Sequence, residues 1–96
     1  MRSVYLITYD VCDAVRLRKV YKVMRRYGDH TQFSVFRCTL NDVELVRMKS
    51  DLTSVINTHE DQVLIVDMGP ADGRGERAIV ALGRAYTHPE RCVIVV

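Results

Sequence analysis

The chain reads as an α+β domain of order strand, helix, one or two strands, helix, strand, that is, a βαββαβ unit with an added C-terminal strand. Three observations lead there. Runs rich in β-branched and aromatic residues, SVYLITYDV (3–11), HTQFSVFRCTL (30–40) and DQVLIVDMG (61–69), alternate with two longer segments whose apolar residues recur at helical spacing. Each helical segment is preceded by a capping residue. At 96 residues, of which 48% are hydrophobic and 27% charged, the composition is that of one globular domain, able to bury a core while leaving much of its surface exposed. Such a unit packs two helices on one face of an antiparallel sheet, and a second copy is the simplest cover for the other face.

The first strand stops near Asp10. DAVRLRKVYKVMRRYG follows as a helix, with Asp13 as N-cap and Gly28 expected just past its C-terminus. Leu17, Val20, Tyr21, Met24 and Tyr27 form its apolar stripe, and Arg18, Lys22, Arg25 and Arg26 cluster on another face. Residues 30–40 carry β-formers throughout and read either as one long bent strand or as two short ones. Asn41 and Glu44 then form a capping-box pattern before a stripe of Leu45, Met48, Leu52, Val55 and Ile56. The strand from Asp61 ends in the turn-rich GPADGRG, after which a short helical piece is expected around Ala78 to Leu82, and RCVIVV is expected to close the chain as a strand. Residues 1–96 thus read as a single domain, with 69–96 as a tail ending in a strand.

Cys12, Cys38 and Cys92 are odd in number, far apart and without a CxxC pair, so neither a disulfide framework nor a zinc site is indicated. No apolar stretch approaches the roughly 18 residues of a membrane span, and the N-terminus lacks a charged leader. Reduced thiols in a soluble, cytoplasmic protein are the expectation. The net charge of +2 conceals an uneven distribution, because six of the 14 basic residues, Arg16, Arg18, Lys19, Lys22, Arg25 and Arg26, lie between Asp13 and Gly28 without an acid among them. That face is either a solvated surface whose last-turn cations complement the helix dipole or a nucleic-acid contact.

Asp10 poses the main question. A carboxylate at a strand end is either a polar residue where the chain re-enters solvent or a metal ligand at the sheet edge. One carboxylate is a poor magnesium site, since the ion takes six oxygens in octahedral geometry. A two-fold axis near Asp10 would supply a second.

YLITYDV, then RLRKV opening a helix, then GDHTQFSVF closely resemble the family of the second CRISPR-associated protein, the small dimeric partner of the spacer-integrating enzyme. Tyr9 and Asp10, Arg16 and Arg18, and Gln32, Ser34, Val35 and Phe36 carry the match, which spans roughly residues 3–67. The resemblance implies a ferredoxin-like homodimer in which Asp10 of both protomers holds Mg²⁺ or another divalent cation. It further implies metal-dependent endonuclease activity on single-stranded RNA or double-stranded DNA, and that the tail over 69–96 is variable. On this reading Asp10, Tyr9, Arg16, Arg18 and Phe36 belong to the catalytic site, and Arg16, Arg18, Lys22, Arg25, Arg26 and His30 to the nucleic-acid surface. Arg16 and Arg18 also fit plain solvent exposure, and Phe36 a place in the core. His30 stands where the family often has arginine or lysine, which makes a pH-sensitive contact the expectation there.

The same family role can be structural, with a homodimer bridging duplex DNA beside the integrase during spacer acquisition and no need for cleavage. A small toxin ribonuclease of the virulence-associated D type has a similar fold and strand-end aspartate. A regulatory ligand-binding domain finds no glycine-rich phosphate loop here, and FSVFRCTL lacks the signature of an RNA-recognition strand.

Overall fold

The structure is a computed structural model that describes residues 1–84. The expected terminal strand and Cys92 lie outside the described residues. Within them the order is β1 (Ser3–Asp10), α1 (Ala14–Arg25), β2 (Gly28–Gln32), β3 (Val35–Leu40), α2 (Asp42–Val55), β4 (Gln62–Pro70) and α3 (Arg74–Arg77). Residues 30–40 contribute to two strands, parted at Phe33–Ser34, where Ser34 takes a left-handed φ of 61°. The sheet order is β2-β3-β1-β4, every neighbouring pair antiparallel. This is the ferredoxin-like arrangement. No described helix is long and apolar enough to cross a membrane.

Asp13 caps α1 by accepting from the Arg16 amide at 3.0 Å. At α2 the box is complete: Asn41 Oδ1 accepts from Glu44 N (2.8 Å) while the Glu44 carboxylate accepts from Asn41 N (2.9 Å). Arg2 also pairs with Glu44, and these two partners hold the Glu44 carboxyl below its ordinary range, the Asn41 N–H contributing most. Two expectations are corrected. Arg26, in a right-handed conformation, ends α1, and Gly28 instead opens β2. A Cβ on Gly28 would lie 2.5 Å from Cys38 Sγ and closer still to the Arg37 carbonyl oxygen, so the glycine serves close strand approach. The third helix covers Arg74–Arg77 rather than Ala78 to Leu82. Val80 and Leu82 are 81% and 95% exposed, so a helix there would bury no apolar stripe to offset the cost of nucleation.

Strand alternation divides the sheet into two faces. Tyr5, Ile7 and Tyr9 of β1 with Phe36, Cys38 and Leu40 of β3 point toward the helices and pack on Val20, Val23 and Met24 of α1 and Met48 and Leu52 of α2. Val23 joins this core in addition to the residues of the stripe. Burial pushes the Cys38 thiol up to about 12, which makes it inert. The opposite, open face carries Leu6, Thr8 and Asp10 of β1 and, directly across in register, Val66, Leu64 and Gln62 of β4. Toward the other end of this face α3 seats Gly75 on Val4, which is fully buried, and Arg37 of β3 pairs with Glu76 at 3.8 Å. The rest of the face keeps Leu64 and Val66 about half exposed.

Candidate active site

Asp10 is the last residue of β1, exposed on the open face opposite Gln62. Its carboxylate takes part in no hydrogen bond or ion pair among the described residues. The turn between β2 and β3 arrives at the same end of the sheet, where Tyr9 N donates to Ser34 O at 3.1 Å.

Tyr9 and Phe36 face the other way. The Tyr9 ring stacks on Phe36 at 6.2 Å between centroids, with Tyr9 only 6% exposed and Phe36 fully buried. Burial, with a smaller contribution from Tyr21, pushes the Tyr9 phenol up to about 12. His30 is buried too, because its register opposite Phe36 turns its ring toward the helices, 4.9 Å from Phe36 and 5.3 Å from Tyr21. An exposed, phosphate-contacting His30 does not fit this placement. The sheet thus separates Asp10 from the aromatic group that sequence reading placed beside it.

Arg16 lies in the first turn of α1 but does not reach outward. Its Nε donates to Asp61 Oδ2 (2.7 Å), and its Nη2 to Asp61 Oδ1 (3.1 Å) and Glu60 Oε1 (3.1 Å). The Asp61 side chain is fully buried and also accepts from Cys12 N (3.0 Å) and Asn57 N (2.8 Å). The Arg16 fork, followed by the Asn57 and Cys12 amides, holds the Asp61 carboxyl well below the usual carboxylate range, and the same fork raises the Arg16 guanidinium further. In the sequence Asp61 stands out only as the start of an apolar strand. Its place immediately before β4 is visible in the sequence, but its partners come only from the register that sets Gln62 opposite Asp10.

Arg18, Lys19, Lys22, Arg25 and Arg26 are exposed along α1. Arg18 and Lys22 have no ion-pair partner among the described residues. Arg25 leans over the Tyr21 ring at 5.9 Å and donates to its hydroxyl at 3.3 Å. Arg26 lies 3.5 Å from Asp51, which also accepts from the Tyr27 hydroxyl at 2.5 Å.

Among the described residues no three His, Cys, Asp or Glu side chains gather into a metal-holding group. At the Asp10 end of the open face the described residues offer a cation one carboxylate, too few for a stable magnesium site by itself. Two copies stacked on their open faces would offer two, and the residues fit a shared cation on that condition.

The model of the CRISPR associated protein Cas2 family matches residues 2–73. The chain belongs to the Cas2 family. A Rhodospirillum rubrum protein named CRISPR-associated endoribonuclease Cas2 1 is 38% identical over 92 residues, covering 96% of this chain and 89% of that protein. A Geobacter sulfurreducens protein named CRISPR-associated endoribonuclease Cas2 is 30% identical over the full length of both. Among solved structures, Streptococcus pyogenes Cas2 superimposes with a TM-score of 0.72 at 33% identity, covering 83% of this chain and 99% of that one.

Proposed function

We propose that this Cas2 family protein is a cytoplasmic homodimer acting in CRISPR adaptation beside the integrase, and that it cleaves RNA or DNA phosphodiesters at paired Asp10 carboxylates. The observation that carries this reading is the unpartnered Asp10 carboxylate on an open sheet face, in line with the exposed Leu64 and Val66. A second copy covering those side chains brings its own Asp10 to the same face. Magnesium or another divalent cation held there would stabilise charge on the attacked phosphate and lower the pKa of the attacking water. This chain's own contribution is to fix Asp10 at the end of a paired strand and to offer Arg18, exposed in the helix that follows, for holding a phosphate through its forked donors. Arg16 is committed to Asp61 and does not share that role.

The exposed cations of α1 also favour a second role, bridging duplex DNA without cutting it. The deciding experiment compares wild type with Asp10→Ala on labelled single-stranded RNA and duplex DNA, with Mg²⁺ or with chelator. Cleavage is expected to require both metal and Asp10. The variant should fall about a hundredfold or more, as the loss of several kcal/mol of charge stabilisation implies, while remaining folded and bound to duplex. No cleavage by a folded wild-type dimer would leave the bridging role standing alone.

A further inference from the structure

We propose that Asp61 is the positioning residue of the Asp10 site, and that Arg16 acts through Asp61 rather than on substrate; the proposal rests on the catalytic reading of Asp10 given above. Asp61 joins three segments with one carboxylate. Its Oδ1 accepts from Cys12 N (3.0 Å), two residues after Asp10, and from Arg16 Nη2 (3.1 Å) in the first turn of α1. Its Oδ2 accepts from Arg16 Nε (2.7 Å) and from Asn57 N (2.8 Å), just beyond α2. All four donors are satisfied by a side chain with no solvent exposure. Backbone contacts tighten the same knot, since Asp61 N donates to Asn57 O at 2.8 Å and the Cys12 thiol to Glu60 O at 3.1 Å.

The consequence for Asp10 follows from the register. Asp10 pairs with Gln62 as the last step of the sheet, and Cys12 is held by the residue directly before Gln62. Residues 61–62 therefore grip the chain at Asp10 and again two residues on, leaving Val11 as the single residue between the two anchors. Without the second anchor, the backbone leaving β1 is free to fray, and the carboxylate loses a fixed direction toward the face it shares with a partner copy. Arg16 completes the device by neutralising a carboxylate that burial would otherwise make costly. A planar fork does this where a lysine does not, because only the guanidinium reaches both oxygens in one plane.

The test compares wild type, Asp61→Asn, Arg16→Lys and the double variant, with Arg16→Gln added for the salt series. It reads single-turnover cleavage with Mg²⁺, duplex affinity against salt without Mg²⁺, and amide exchange at Cys12 and Asn57. The expected result is a loss of cleavage rate of roughly ten- to a hundredfold in each single variant, the scale of a small misplacement of a reacting group. Duplex affinity and its salt slope should stay unchanged, the Cys12 amide should exchange faster, and the double variant should be no worse than the weaker single one, as expected of residues acting as a unit. Should Asp61→Asn fail to fold, Arg16→Lys carries the test, because Asp61 then keeps both amide donors and a nearby cation. A salt slope reduced by about 1 in Arg16→Gln, which removes the charge that lysine would keep, would instead place Arg16 on a phosphate and overturn the proposal. Cleavage lost in Asp10→Ala but kept in both clasp variants would overturn positioning alone. A wild type that does not cleave, with its Cys12 amide protected, would overturn the catalytic reading and the proposal with it.

Discussion

At the scale of single residues, three acids gathered at the Asp10 end of the sheet divide by burial. Asp10 is exposed and has no partner among the described residues, Asp13 caps a helix, and Asp61 is enclosed by donors. Asp61 therefore links stability to pH in a definite direction. Its folded pKa lies below the ordinary aspartate value near 4, so its contribution is present above about pH 4 and is lost as pH falls below that value. Arg16 stays charged throughout. Glu44 works in the same sense at the start of α2, which makes a difference measurement necessary. Thermal melts of wild type and Asp61→Asn from pH 7 to pH 2 should show a gap in Tm that is constant at neutral pH and narrows below about pH 4. A gap independent of pH would mean that the Asp61 carboxyl has the same pKa folded and unfolded, so that its charge adds no stability.

At the scale of elements, α1 serves two surfaces. Val20, Val23 and Met24 lock it to the sheet, while Arg18, Lys22 and Arg25, four and three residues apart, line its outer side. Arg25 and Arg26 are adjacent in sequence yet differ in circumstance, because Arg26 pairs with Asp51 whereas Arg25, among the described residues, has no acidic partner and leans on Tyr21. Arg25→Ala is accordingly expected to reduce the salt slope of duplex binding by about 1 and to do so for any duplex sequence. Arg26→Ala should change the slope less, since part of its charge is already balanced. Binding titrations across a salt series measure both, and equal slopes for wild type and Arg25→Ala would remove this face from the nucleic-acid surface.

At the scale of the whole molecule, the helices cover one side of the sheet and α3 covers part of the other. Leu64 and Val66 remain about half exposed beside Leu6, an apolar strip ending at Asp10. The homodimer proposed here buries that strip, so Val66→Asp is expected to shift the protein to monomer while leaving the monomer fold intact, its side chain lying outside the core. Sedimentation equilibrium with circular dichroism checks both halves of that statement. A variant that stays dimeric would move the interface elsewhere and with it the argument for paired Asp10.

Much of this architecture was legible in local sequence. The capping box at Asn41 and Glu44, the N-cap at Asp13, the alternation of β1 and the stripes of both helices need only neighbours in the chain, and physics acting over a few residues decides them. Asp10 was singled out in the same way, as a carboxylate closing an apolar strand. What lay beyond reach were matters of register between distant segments. Only pairing β2 with β3 turned His30 inward and required a glycine at 28, and only packing the segment at residue 61 against the first turn of α1 brought the Arg16 guanidinium onto the buried Asp61 carboxylate. The sequence by itself determined which residues are apolar, capping or charged. The tertiary structure decided which charges meet each other and which are left to meet something else, because a side chain's partner across 45 residues of chain is set by the sheet and not by its neighbours.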